Sequence, residues 1–283
     1  MQKSDSFYKN YELIDFGQGR KLESFSGVIL DRSAPQAMLK KTLPASVWNN
    51  SDASFVDGSW NIKRAELEEG WKSNIGKALI ELKLATGGQL GVFPEQMQNW
   101  GWLHNVVFGT KKKLNIFNGF AYTGLSSIFA SSSYSRVCHV DASKSAVSWA
   151  KKNAELSSVA SNDIRWIVDD VMTFLNRERK RGIRYDGFIL DPPAFGRSKD
   201  KKTWSFKRDI TSLIELSVAL LSTKPAFYLF TCHETDIDVK GLKVLLDPVN
   251  RAFKSSAEVF EMELRTSSGK ALKAGLAGRL SLL

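Results

Sequence analysis

The sequence predicts an α/β protein in which a sheet with helices on both faces follows a small, mostly β amino-terminal region. Three observations carry this reading. From Lys111 onward, short apolar runs alternate with amphipathic helical stretches, the pattern of a parallel sheet covered on both sides. Up to about residue 105 the chain is instead rich in Gly, Trp and short alternating stretches. Its 283 residues, 43% of them hydrophobic, accommodate two domains of ordinary size, placed at 1–105 and 106–283.

In the first region, Ala78 to Leu84 puts Ile80, Leu82 and Leu84 on one face, and Thr86-Gly87-Gly88 supplies a turn, so a hairpin is predicted there. Strands are then expected at 114–117, 136–140, 164–168, 185–190 and 226–231. Helices are expected at 125–131, 144–155, 172–181 and 206–221, with a weaker one from about 239. The helical period is clearest where Ala146, Val147, Ala150 and Ala154 form one stripe and leave Lys144, Lys151 and Lys152 for solvent. Residues 258–264 and 276–283 read as closing strands around the polar turn Ser267-Ser268-Gly269. Trp48, Trp60, Trp71, Trp100 and Trp102 read either as a binding surface of the first region or, the default for most of them, as core packing.

Composition narrows the function classes. Forty Lys and Arg against 30 Asp and Glu give a net charge of +10, which suits a polyanionic partner such as nucleic acid. Two cysteines without a staple-like spacing exclude a disulfide framework and point to a reducing compartment. His104, His139 and His233 are scattered, so no metal site is expected. No run approaches the roughly 18 apolar residues of a membrane span, and a soluble cytoplasmic protein without membrane contact is expected. The oligomeric state is not legible.

Ligands of open α/β sheets bind beyond the carboxyl ends of the strands, so the residues that follow each strand are the site candidates. The first strand leads into Asn118-Gly119-Phe120-Ala121-Tyr122-Thr123-Gly124, whose glycines permit close backbone approach to a ligand at the next helix. Asp141 ends the second, 17 positions past Gly124, where an acid can accept from both hydroxyls of a ribose. Asp169-Asp170 ends the third, and Asp191-Pro192-Pro193-Ala194-Phe195 ends the fourth. Two prolines cannot continue a central ladder, so Asp191 is left facing the crevice above the sheet. An acidic rim repels phosphates but suits a ribose, an adenine amine and a sulfonium, which favours S-adenosylmethionine over NAD. A nicotinamide-dependent oxidoreductase and a non-catalytic RNA-binding module on the same fold remain open.

Together, Asn115-Ile116-Phe117, Phe120 to Gly124, Val140-Asp141-Ala142-Ser143, Ile164 to Asp170 and Asp191 to Gly196 resemble the class I S-adenosylmethionine-dependent methyltransferases of the ribosomal-RNA group, including the cytosine-C5 enzymes of 23S rRNA. The resemblance extends to Tyr11 through Glu23 and to Gly91-Val92-Phe93-Pro94-Glu95-Gln96, although Met97 stands where cytosine-modifying relatives commonly have Arg. It implies a Rossmann-like sheet, S-adenosylmethionine as cofactor and an RNA substrate. It places the cofactor among Asn115, Phe117, Tyr122, Thr123, Gly124, Asp141, Ala142, Ser143, Asp169, Asp170 and Asp191. Glu95 and Gln96 would cover it from the amino-terminal domain, which would also recognise substrate.

Asp191, Pro192 and Phe195 are the catalytic candidates. Carbon 5 of a pyrimidine needs a thiolate added at carbon 6, and Cys232 in Phe230-Thr231-Cys232-His233-Glu234 is the candidate donor, with His233 placed to favour the thiolate. Cysteine also serves as a small buried hydrophobe, the competing reading. An exocyclic amine would need no nucleophile, only Asp191, the Pro192 carbonyl and a stacking Phe195; cytosine carbon 5 is favoured here because Ala194 separates Phe195 from the second proline. Arg197, Lys199, Lys201, Lys202, Lys207 and Arg208, interleaved with Trp204 and Phe206, are the candidate RNA-binding segment. Arg177, Arg179, Lys180, Arg181 and Arg184 read as a solvated helix end.

Overall fold

The computed structural model describes residues 9–110, 112–159, 163–197 and 203–282. They group into two compact units, Met1–Met97 with Glu263–Ala274, and Gln98–Met262 with Gly275–Leu283.

The first unit contains β1 (Tyr11–Gly17), β2 (Arg20–Phe25), β3 (Val28–Ser33), α1 (Ala45–Asn49), β4 (Ala53–Val56), β5 (Ser59–Ile62), β6 (Trp71–Ile75) and β7 (Ala78–Leu82). Strands β1 to β5 form one sheet in chain order, and β6 and β7 form a separate hairpin. The hairpin differs from the expected one in its partner. β7 pairs backward with β6 across Gly76-Lys77, where Gly76 takes a φ of 55°, and Thr86–Gly88 is a single 3-10 turn. A two-residue link needs positive φ, and Gly76 meets that need before the chain reaches Gly87.

Charges are buried in this unit and paired. Glu23, with 0% exposure, accepts from Tyr11 Oη at 2.9 Å and from Arg32 Nη2 at 2.6 Å. Asp15 accepts from the Leu43 amide at 2.9 Å, from Trp48 Nε1 at 3.2 Å, and from both the hydroxyl and amide of Thr42. Burial raises the Asp15 carboxyl, but these donors outweigh it and hold the pKa at about 2. A folded value below the ordinary one near 3.8 stabilises the native state above the unfolded pKa, and that contribution is lost as pH falls through the folded one. Asp15→Asn is therefore expected to cost roughly 2 kcal/mol at pH 7 and almost nothing near pH 2. Urea unfolding at the two pH values measures it, and an equal loss at both would contradict the assignment.

The second unit holds α2 (Met97–Gly109) from Gln98 onward, then β8 (Leu114–Gly119), α3 (Leu125–Ala130), β9 (Ser135–Asp141), α4 (Lys144–Leu156), β10 (Ile164–Val168), α5 (Val171–Lys180) and β11 (Gly187–Leu190). It continues through the short β12 (Phe195–Arg197) and β13 (Thr203–Ser205), then α6 (Phe206–Ala219), β14 (Phe227–Cys232), α7 (Val239–Leu245), α8 (Asp247–Phe253), β15 (Glu258–Arg265) and β16 (Ala271–Ser281). Its seven-stranded sheet runs β10-β9-β8-β11-β14-β16-β15. β10, β9, β8, β11 and β14 are successive parallel neighbours, and β16 pairs antiparallel with β14. The alternation read from sequence is thus a parallel-rich sheet flanked by helices.

Burial follows position in the sheet. All of Gly187-Phe188-Ile189-Leu190 in β11 and Phe227 to Cys232 in β14 are buried, as strands covered on both faces require, while the edge strand β10 is only partly covered. The helices are capped where the sequence provides oxygen acceptors. Ser143 accepts from the Ala146 amide at the start of α4, and Asp170 accepts from the Thr173 amide at the start of α5. The last turn of α5 carries Arg177, Arg179 and Lys180, whose charge suits the helix dipole. Helix α2 and the β12–β13 pair are absent from the sequence expectation, since Met97 to Gly109 is interrupted by Gly101 and shows no clean apolar period.

Candidate active site

The chain builds β8 first, moves outward through β9 and β10, and then returns to β11 on the other side of β8. The strand order therefore reverses between β8 and β11, which opens a crevice above their carboxyl ends. Backbone hydrogen bonds link the loops on this rim. The Asp169 amide donates to the Asp141 carbonyl at 3.0 Å, the Ala121 amide to Val140 at 3.2 Å, and the Asp191 amide to Gly119 at 3.5 Å. Asp141, Asp169, Asp170 and Asp191 accordingly lie along one rim.

Asp141 is fixed through both carboxylate oxygens. Oδ2 accepts from the Tyr122 amide at 2.8 Å, and Oδ1 accepts from the Ser143 amide at 2.8 Å. Burial raises its pKa despite these two donors. Reaching Asp141 puts the Tyr122 backbone at a φ of 47°, and Phe120 sits at 56° in the same loop. Side chains rarely take that region except where the surroundings demand it, so the loop after β8 is shaped around the Asp141 carboxylate.

Gly119 and Gly124 also have a packing reason, besides the expected one. A Cβ on Gly124 would stand 2.8 Å from Ala150 Cβ, and one on Gly119 would stand 2.7 Å from Phe117 Cε1. Close packing of α3 against α4, and of the strand tip against its core, requires these glycines whether or not a ligand approaches. Thr123 is buried, and its carbonyl accepts from Asn153 Nδ2 at 3.0 Å.

Two residues named as cofactor ligands do not reach the rim. Asn115 lies at the opposite end of β8, with Nδ2 donating to the Arg184 carbonyl at 2.6 Å. Phe117 is fully buried and packs on Phe174, Tyr185 and Phe188. The alternation of side chains along a strand buries its central residues in the two helix layers and exposes only its carboxyl end. At the β10 tip both acids have structural partners, Asp169 through Arg177 and Asp170 as the α5 cap. Ala142 and Ser143 follow Asp141 at the start of α4. Glu95 and Gln96 belong to the first unit, where Gln96 is buried and Glu95 lines a cavity of about 160 Å³ with Lys21, Arg32 and Gln36.

Asp191 is the most elaborated acid of the rim. Thr231 Oγ1 donates to its Oδ1, and His233 Nε2 lies 3.0 Å from the same oxygen. Pro192 is buried, whereas Phe195 is 78% exposed. Successive side chains of a strand point to opposite faces. Thr231 and His233 therefore reach Asp191 together, and Cys232 between them joins the core, fully buried. Burial raises the Cys232 thiol to about 11; the Glu234 amide lowers it somewhat, while the carboxylates of Glu234, Asp236 and Asp191 raise it further. The expected activation of Cys232 by His233 is thus corrected, because the imidazole is turned to Asp191. Sequence reasoning missed Thr231 and His233 as neighbours of Asp191, although their spacing of two on a strand was the available signal.

The candidate RNA-binding segment is also revised. Trp204 is buried, packs against Phe120 at a ring separation of 4.9 Å and donates Nε1–H to the Pro193 carbonyl at 2.6 Å. It braces the proline turn rather than offering a face to bases. Phe206 is core. Lys207 pairs with Asp236 at 2.5 Å, and Arg208 with Asp209 at 2.7 Å. Lys199, Lys201 and Lys202 lie outside the described residues, as does the side chain of Arg197.

Among the described residues no group of His, Cys, Asp or Glu could hold a metal ion, and no helix is long and apolar enough to cross a membrane. The donor set of the rim suits a cationic, ribose-bearing ligand. A carboxylate held by two amides keeps lone pairs for hydroxyls, and the further rim carboxylates favour positive charge, less so at Asp169, which Arg177 already meets. A reversed strand order with such a rim is the architecture of the Rossmann-like, S-adenosylmethionine-dependent methyltransferases. A crystal structure of the SAM-dependent methyltransferase from Agrobacterium tumefaciens superposes with a TM-score of 0.88 at 31% identity, covering 96% of this chain and 90% of that one. The chain belongs to the family described as RNA cap guanine-N2 methyltransferase, whose model matches residues 111–260.

Among curated relatives, ribosomal RNA large subunit methyltransferase I of Aeromonas salmonicida is 31% identical over 44% of this chain and 30% of its own length. The enzyme of the same name from Pseudoalteromonas translucida is 25% identical over 76% of this chain and 50% of its own length. The chain thus spans half or less of these relatives.

Proposed function

We propose that the protein transfers a methyl group from S-adenosylmethionine to a base of RNA, ribosomal RNA by its similarity to the large-subunit enzymes. The observation that carries this is the single rim on which Asp141 and Asp191 flank the switch between β8 and β11. Asp141, held by the Tyr122 and Ser143 amides, binds the ribose, and Asp191 binds the acceptor base. The bound cofactor supplies an already activated methyl group. The chain's contribution is alignment of acceptor and donor in a site that excludes water, with the target base extruded from its stack.

The sequence favours cytosine carbon 5 as the acceptor, but the geometry supports an exocyclic amine better. Carbon 5 requires a thiolate, and Cys232 has a raised pKa and no exposure, while His233 Nε2 faces Asp191. An amine requires an acceptor for its hydrogens, which the Asp191 carboxylate and the Pro192 carbonyl supply, and a ring to stack on, which the exposed Phe195 supplies. The family description, a guanine-N2 methyltransferase, points the same way.

Nucleoside mass spectrometry of ribosomal RNA from cells with and without the gene tests the reading. Loss of an N-methylated base supports the amine, and loss of 5-methylcytosine supports carbon 5. Methyl transfer by Cys232→Ala is expected to stay within about threefold of wild type, since only a small buried side chain is truncated. An inactive but folded Cys232→Ala would restore the covalent route.

The cover role of Glu95 and Gln96 remains a proposal, checked by S-adenosylmethionine affinity in Gln96→Ala. RNA contact by Arg197, Lys199, Lys201 and Lys202 is likewise proposed, and their joint replacement by Ser is expected to flatten the salt dependence of RNA binding.

A further inference from the structure

We propose that His233 is a positioning residue, which orients Asp191 through Nε2 and makes transfer depend on the charge of its imidazole. The inference rests on the reading of Asp191 as the group that meets the acceptor base. Two side chains converge on one oxygen of Asp191, Thr231 from within β14 and His233 from just beyond it. A carboxylate at a strand tip rotates freely unless held, and two donors on Oδ1 fix its plane.

The place of the imidazole is built into the neighbouring strand. A Cβ on Gly275 of β16 would stand 2.8 Å from His233 Nδ1 and 2.7 Å from the Cys232 carbonyl oxygen, and Gly275 has a φ of 124°. A glycine in the interior of a strand weakens it and marks a close approach. Here the groups that come close are the Cys232 carbonyl oxygen and the His233 ring.

The charge arithmetic follows from the neutral tautomer. With Nε2–H donating to Asp191 Oδ1, the pair carries one negative charge beside the position of a cationic methyl donor. When the amine nitrogen forms its bond to the methyl carbon, the carbon–sulfur pair leaves with sulfur, and the nitrogen holds one proton too many. The Asp191 carboxylate accepts that proton and passes it to solvent. Imidazole changes charge between about pH 5 and 8. Once protonated, it cancels the Asp191 charge and places a cation near the donor, so transfer falls on the acid side. Among the described residues, the charged or titratable groups at this end of β14 include Glu234 and Asp236 in the following loop, whose carboxylates act on the neighbouring Cys232 thiol, and Lys207 of α6, which pairs with Asp236. The remaining close neighbour at Gly275 is Met262 of β15, which carries no charge.

The test compares the full-length wild type with His233→Ala and His233→Gln in methyl transfer from S-adenosylmethionine to unmodified ribosomal RNA between about pH 5.5 and 9. His233→Ala is expected to lower kcat about tenfold or more at pH 8, with KM for RNA within about twofold. His233→Gln, which keeps a donor but cannot titrate, is expected to regain most of the rate and lose the acid limb. Wild-type rates in His233→Ala, or an acid limb unchanged in His233→Gln, overturn the proposal. Should the wild type transfer nothing to RNA, the reading of function fails separately, and nuclear magnetic resonance titration of His233 then decides the pairing. Its midpoint is expected to fall in Asp191→Asn, and an unmoved midpoint overturns the pairing itself.

Discussion

Replacement of Asp191 by alanine is expected to lower methyl transfer by about 10²- to 10³-fold, the range for removal of a positioned proton acceptor. The fold has little reason to suffer, since the amide that ties residue 191 to the Gly119 carbonyl is retained and the lost side chain is partly exposed. Asp191→Asn keeps an oxygen for Thr231 and for an amine hydrogen but loses the charge, so its activity is expected between the two. S-adenosylmethionine affinity measured calorimetrically on the same variants separates catalysis from binding. A fully active, folded Asp191→Ala would contradict the role given to the proline turn.

The second large effect concerns stability. Glu23→Ala is expected to destabilise the protein by about 3–5 kcal/mol, because it leaves Arg32 buried without a counter-charge. Arg32 is 5% exposed, and its other partner here, the Gly88 carbonyl at 2.9 Å, carries no charge. Tyr11 and Lys21 lose the same acceptor. Burial raises the Glu23 pKa, but Arg32 and Lys21 outweigh it and lower the value overall. The pair therefore stabilises the fold above the ordinary carboxyl range and ceases to do so as pH falls through the depressed value. Replacing both members by apolar residues is expected to cost less than Glu23→Ala alone, since no uncompensated ion remains. Denaturant midpoints of the single and double variants check this, and an unperturbed Glu23→Ala would show that Arg32 finds water instead.

Much of the second unit was legible because local signals agreed with the final layers. The stripe Ala146, Val147, Ala150 and Ala154 is the buried face of α4, and the run at 164–168 is β10 residue for residue. The four acids at the strand ends were legible as well, since carboxylates after apolar runs mark sheet tips wherever the strands are parallel. Ser143 and Asp170 carried a second, local meaning as helix caps, which the site reading alone did not separate. Helix α2 was hidden by Gly101 and by aromatics spread around its circumference.

Trp204 and Cys232 show where sequence stops. Interleaved with lysines and arginines, Trp204 has the composition of a stacking platform, yet the β12–β13 pairing turns it inward onto Phe120 and Pro193. Cys232 stands beside a histidine in the chain, yet strand alternation sends the two to opposite faces.

By itself the sequence determined the strand and helix periods, the acidic ends of the strands and the net positive charge, all of which depend on the order of residues along the chain. Only the tertiary structure decided which acids share neighbours, which rings are buried and which partner orients Asp191. Those are distances between segments as far apart in sequence as Gly119, Asp191, His233 and Gly275, and the strand order β8-β11-β14-β16 fixes them by laying those segments side by side.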